Sequence, residues 1–154
     1  MSLEEQLGAD VKQAMRDGNK VARDTLRMVL SDLKNKAVSL RGERGDGEVT
    51  LSEEEVQAVV LRAVKTRKES VREYEAAGRQ ELADIEHAEI AVIEGYLPKQ
   101  LSPEETKAAV EELVKELGLS TMKDIGTLMK ALKTKFGNTV DGKEAQQTAR
   151  GLLS

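Results

Sequence analysis

The sequence predicts an all-α protein, and three observations carry that prediction. Charged residues make up 34% of the 154 residues and aromatic residues only 2%, whereas strands draw on aromatic and β-branched side chains. Apolar residues recur at three- and four-residue spacing along most of the chain, the period of a helix with one buried face. Several of these stretches open with Ser, Thr or Asp followed three residues later by an acid, the mark of a reciprocally capped helix start.

Seven helices follow from this pattern. The first starts at Ser2 with Glu5 as its box partner, carries Leu3, Leu7, Val11, Ala14 and Met15, and stops at Gly18. The second runs from about Asn19 to Leu40 with Leu26, Val29, Leu30, Leu33 and Ala37 as its stripe. Residues 41–48 then read as a mobile loop, because three glycines and alternating charges have nothing to bury. The third helix starts at Ser52 with Glu55, carries Val56, Val59, Val60, Ala63, Val64, Val71 and Tyr74, and ends at Gly78. The fourth carries Leu82, Ile85, Ile90, Val92, Ile93 and Tyr96 and is stopped by Pro98, which disfavours helical geometry at the residue before it.

Three shorter helices complete the chain. Ser102, Pro103 and Glu105 open the fifth, Ala109, Val110, Leu113, Val114 and Leu117 face inward, and Gly118 closes it. Thr121 with Asp124 opens the sixth, lined by Ile125, Leu128, Met129 and Leu132 and closed by Gly137. Asp141 with Glu144 opens the seventh, which ends at Leu152 and Leu153. Residues 1–95 therefore read as a helical N-terminal domain of about four helices, and 97–154 as a three-helix tail domain. The Tyr96-Leu97-Pro98 corner is the boundary. A tail this short has little surface to bury when alone.

Composition also excludes chemistry. With no cysteine there is no disulfide, thiolate metal site or cysteine nucleophile. The acidic start lacks an apolar signal core and no run is apolar enough to span a bilayer, so the expected setting is cytoplasmic, without a membrane partner. The net charge of −4 argues against a general nucleic-acid binder, and no DNA partner is expected. The charge is unevenly spread: residues 97–154 hold 9 basic and 8 acidic residues, whereas 1–96 hold 15 against 20.

No catalytic pair stands out. His87 is the only histidine and reads as a solvated helix residue. Glu86 and Glu89 share a helix face, but the paired Glu-x-x-His pattern of helical di-metal sites is absent, so they read as partners for Arg or Lys on a neighbouring helix. No metal or cofactor is expected. Lys65, Arg67, Lys68 and Arg72 are interleaved with Glu69, Glu73 and Glu75 and read as an exposed face laced with pairs four residues apart.

The tail is less anonymous. Gly126 lies inside a helix, where glycine costs about 1 kcal/mol against alanine; it serves either packing between tail helices or close approach of a ligand. Lys123, Lys130, Lys133 and Lys135 lie on that helix or its ends. The hinge from Gly137 to Lys143 leads into a helix N-terminus, a plausible phosphate site unless the Asp141 carboxylate already fills it as a cap.

Taken together, these residues resemble the YqeY family, small bacterial proteins related to the C-terminal region of GatB, the B subunit of the glutamine-dependent aspartyl/glutamyl-tRNA amidotransferase. The N-terminal part of the resemblance rests on Thr25-Leu26-Arg27-Met28, Arg67-Lys68-Glu69-Ser70, residues 74–79 and Glu86-His87-Ala88-Glu89. In the tail it rests on Tyr96, Leu97, Pro98, Gly126, Gly137, Asp141 and Gly142 as signature positions. The resemblance implies an all-α fold and a tail that contacts tRNA, with the transamidation chemistry lying in other parts of the amidotransferase. The candidate RNA contacts are Lys99, Lys123, Lys130, Lys133, Lys135, Asn138 and Lys143. Asn138 is a departure, since relatives often carry a basic residue after the hinge glycine.

The expected function is thus a non-catalytic accessory module that binds tRNA or another RNA weakly through its basic tail. The alternative is an adaptor docking on an aminoacyl-tRNA synthetase or an amidotransferase subunit. A carbon–nitrogen ligase using glutamine is the third reading; the sequence shows no nucleotide-binding glycine loop in a suitable context and no nucleophile with a base.

Overall fold

The computed structural model describes residues 1–45, 47 and 49–153. Among them there are seven α-helices and no strand: α1 Leu3–Asp17, α2 Lys20–Arg44, α3 Glu53–Ala76, α4 Gln80–Glu94, α5 Pro103–Leu117, α6 Ile125–Phe136 and α7 Gly142–Leu152. The all-α expectation is met. The chain divides into two compact units, one covering Met1–Leu97 and one beginning at Pro98.

The first unit packs α1 to α4 around an aliphatic core. Leu7, Leu26, Val29, Leu33, Val56, Val60, Ala83 and Ile93 are almost completely buried in it. Each large side chain of this kind contributes about 1.5–3 kcal/mol through removal from water. Tyr96 ties the end of the unit to α1, its hydroxyl donating to Asp10 Oδ2 at 2.6 Å. Burial and this hydrogen bond push the Tyr96 phenol above its ordinary range, so it remains a donor.

Local signals set most helix ends. Ser2 and Glu5 form the reciprocal box at α1, and Gly18 takes the left-handed conformation that stops it. At α3, Ser52 accepts from the Glu55 N–H at 3.1 Å. The Glu55 carboxylate turns away to Arg44, 2.8 Å from its Nη2, and no reciprocal half is formed.

The same contact explains the main departure from the sequence reading. α2 does not stop at Leu40 but continues to Arg44. Burial of Leu40 and the Arg44–Glu55 bond hold the extra turn, against the roughly 1 kcal/mol that Gly42 costs in a helix. Of the expected mobile loop, residues 41–44 are therefore helical, and Asp46 and Glu48 lie outside the described residues. The fourth helix stops at Glu94 rather than at Pro98. Three residues assigned inward, Met15, Ile85 and Leu117, are 52%, 55% and 45% exposed. Each sits at the edge of its stripe.

The second unit packs α5, α6 and α7 around Val110, Leu113, Leu128, Leu132 and Leu153, with the small Ala145 and Ala149 on the inner face of α7. Ser102 and Glu105 close the box at α5, with Pro103 at its first position. Before α6 a 3-10 turn spans Met122–Asp124, and the Asp124 carboxylate accepts from the Ser120 and Thr121 N–H groups at 3.3 and 3.4 Å. Gly137 follows α6 with φ 58° and ψ −130°, a conformation that a side chain would strain. The turn brings Thr139 under Leu101, whose N–H donates to the Thr139 carbonyl at 2.8 Å.

Two predictions follow from buried polar groups. The Thr106 hydroxyl is fully buried without a partner. Thr106→Val should raise tail stability by about 1 kcal/mol, because an unpaired buried hydroxyl is replaced by a group of the same shape; thermal unfolding of the full chain reads this. Tyr96→Phe should lower the stability of the first unit by about 1 kcal/mol through loss of the bond to Asp10, measured by urea unfolding.

Candidate nucleic-acid interface

The tail lysines fall into separate groups. Gly126, Lys130 and Lys133 are spaced four and three residues apart on α6, so they share one face, and all three are exposed. Thr127 and Thr134 flank them and are also exposed. Leu128 and Leu132 occupy the opposite, buried side. Lys123 is exposed in the 3-10 turn just before the helix. Lys135 turns aside, its Nζ lying 5.6 Å from the centre of the Phe136 ring, a cation–π distance.

Lys99, Asn138 and Lys143 belong to the hinge, around the bond that joins Leu101 to Thr139. Lys99 and Lys143 are exposed and Asn138 is half-buried. The α7 N-terminus itself is closed. Asp141 Oδ1 accepts from the Lys143 and Glu144 N–H groups at 3.0 and 3.3 Å. Its carboxylate occupies the place where a phosphate would sit, so of the two readings of this helix end the cap is the one observed.

Gly126 is not explained by packing. A β-carbon built on it would meet nothing within 4 Å, which rules out the reading in which it lets tail helices approach. It leaves an exposed strip of bare backbone beside Lys130 and Lys133.

In the first unit, the bland reading of Glu89 is the observed one, since it binds Arg67 at 2.8 Å. The reading of Arg67 is corrected. It is 8% exposed, not part of a solvated face, and donates also to the Ala63 carbonyl at 3.0 Å and towards Met28 Sδ at 3.8 Å. The signal was present, because Arg67 stands three residues after Val64 and four before Val71, on the apolar stripe of α3. Three of the motifs behind the family resemblance therefore meet at one point. Lys68 pairs with Glu94 on α4 at 3.3 Å rather than along its own helix. Glu86 is half-buried, and burial followed by repulsion from Glu89 holds its carboxyl above the usual range. Among the described residues no three metal-ligating side chains come together, and no helix is long and apolar enough to cross a membrane.

Comparison with known proteins now places the chain. A family described as "Yqey-like protein" matches residues 4–153. The chain belongs to the Yqey-like family. Among curated proteins it is similar to "Altered inheritance of mitochondria protein 41, mitochondrial" of three yeasts. The protein of Vanderwaltozyma polyspora is 31% identical over 77% of this chain and 64% of its own length. That of Clavispora lusitaniae is 32% identical over 72% and 62%, and that of Saccharomyces cerevisiae 28% over 85% and 60%. The chain thus spans a little under two thirds of the length of these relatives. Their names overturn the expectation of a cytoplasmic protein, because these yeast relatives are named as mitochondrial. An acidic start and a lack of cysteine do not discriminate between compartments, since both leave the folded surface compatible with either.

The Glu86 environment generates a prediction with a sign. The folded state holds a proton on this carboxyl more tightly than the unfolded chain does, so its charged form opposes folding. Glu86→Gln should therefore stabilise the chain at pH 7. The gain should shrink as pH falls through the raised folded value towards the ordinary carboxylate range, as followed by thermal melts across pH.

Proposed function

We propose that this Yqey-like protein is a non-catalytic accessory module that binds RNA, with tRNA as the expected class, through the exposed face of α6. The observation that carries this reading is the placement of Gly126. It has helical geometry, supports no internal contact, and lies on the same face as Lys130 and Lys133. It stands in the first turn of α6, where glycine costs less than the roughly 1 kcal/mol of a helix interior but gains no packing contact. Bare backbone beside two lysines suits the close approach of a sugar–phosphate chain, the lysines supplying point charges to the phosphates. The exposed Lys123 extends the strip. The family resemblance to the tail of the amidotransferase B subunit supports the same ligand class.

The tail carries few aromatic residues for stacking on bases, so recognition rests on phosphate and shape. Binding should be weak and salt-dependent. The Asp141 cap and the neutral Asn138 take the hinge out of the main contact and leave α6 as the centre of the interface.

A second reading, docking on a protein such as an aminoacyl-tRNA synthetase or an amidotransferase subunit, is favoured by a different observation. Val21 and Ile85, 48% and 55% exposed, line a cleft of about 390 Å³ between α2 and α4, and Met28 is exposed on the same side of α2. Apolar side chains gathered in this way often mark contact surfaces. A pulldown that survives nuclease treatment would favour that reading over RNA binding.

Filter binding to tRNA should give a slope of log affinity against log salt of about −2 to −3, for roughly three neutralised phosphates. Lys130→Glu with Lys133→Glu should abolish retention. Gly126→Ala should raise the thermal midpoint of the tail while weakening tRNA binding severalfold. Absence of any retention at low salt would sink the proposal.

A further inference from the structure

The outer edges of α3 and α4 meet in two cross-helix side-chain pairs with an open position between them. Lys68 Nζ lies 3.3 Å from Glu94 Oε1, and Glu75 Oε1 lies 3.6 Å from His87 Nε2. The two pairs are seven residues apart on each helix, so the helices run antiparallel in strict register here. In that register Arg72 on α3 stands opposite Ile90 on α4, with Ala91 beside it on the same cleft. Lys68 and Glu75 have partners across the groove; Arg72 meets no carboxylate at its matching position. No hydrogen bond or ion pair joins Arg72 to any described residue.

The open position lies over an apolar floor. A cleft of about 410 Å³ is bounded by Lys68, Arg72, His87 and Glu94, the last already paired with Lys68, and floored by Val71, Ile90 and Ala91. Val71 and Ile90 are 7% and 6% exposed, so the floor is continuous with the core. The volume falls in the range of about 300–1,000 Å³ usual for small-molecule sites.

We propose that this cleft binds a small organic acid, whose carboxylate takes the open position on Arg72 and whose short aliphatic body lies on Val71, Ile90 and Ala91. The pairs on either side are already closed by carboxylates, Glu94 and Glu75. A guanidinium presents a planar fork that matches a carboxylate with two parallel hydrogen bonds. Inorganic phosphate fits less well. It brings up to two charges between the Glu75 and Glu94 carboxylates, and it leaves the apolar floor uncovered. Glu69 and Glu73 lie elsewhere on α3 and hold the local charge near neutrality, which keeps the affinity modest. The site is independent of the tail and of RNA.

The test is a titration of the isotope-labelled full chain with hexanoate, followed by amide shifts. Saturable shifts should centre on residues 71–72 and 90–91. Ala91→Glu supplies the missing carboxylate from the protein itself, and Arg72→Gln removes the fork. Each should weaken hexanoate binding at least about tenfold, the loss expected for one charge-assisted contact, with helicity by circular dichroism unchanged. Ala91→Glu should also raise the thermal midpoint slightly. Shifts that do not saturate, equal binding by Arg72→Gln, or phosphate binding as tightly as hexanoate at the same residues would each overturn the assignment.

Discussion

Among the described residues, Arg67 is the one charged side chain that the first unit buries, and the arrangement of its helices depends on it. From α3 it reaches the Glu89 carboxylate on α4, the Ala63 carbonyl on its own helix and Met28 on α2. A buried ion pair adds little net stability, because desolvation offsets much of the attraction. Loss of one partner, in contrast, leaves a bare charge inside, at a cost of about 3–5 kcal/mol. Such a pair penalises every alternative register more than it rewards the native one. That matters in a core made almost wholly of Leu, Val, Ile and Ala, whose smooth aliphatic stripes can slide past one another. Two surface pairs between α3 and α4 add further cross-helix contacts.

The tail solves a different problem, that of a small core. Its helices are short, and most of their ends are closed by local devices: the Ser102–Glu105 box, the Asp124 carboxylate on two backbone groups, and Asp141 at α7. Small alanines at 145 and 149 bring α7 into the core without bulky side chains. Nearly all the apolar side chains of α6 are used inward, which leaves its outer face to Gly126, Thr127, Lys130, Lys133 and Thr134. The chemistry offered there is positive charge on a thin backbone. The hinge, which looks like an anion site in sequence, is consumed by its own cap.

Charge and shape therefore divide between the units. The first holds most of the negative charge of the chain and two clefts between long helices. The second holds the exposed lysine face. An accessory role, in which one part meets nucleic acid and another meets small molecules or proteins, accords with this division. The yeast relatives are named as mitochondrial proteins, and the chain covers only part of their length.

The sequence by itself determined the helices, most of their ends and the identity of the core residues. These depend on spacing within a few residues and on capping groups whose partners lie three positions away. It also displayed every lysine of the tail. What it could not determine was anything that required knowing a neighbour across the fold. The extension of α2 to Arg44 depends on Glu55 of another helix. Arg67 lies on an apolar stripe, but only Glu89 shows why a charge is tolerated there. Glycine at 126 has the same sequence signature whether it packs against a helix or faces water, and the empty space around it decides between the two. Arg72 resembles the other cations of its helix until the cleft it shares with Ile90 and Ala91 is seen. Local rules act through the chain, whereas burial and partnership act through space, and the candidate sites of this protein are made by the second.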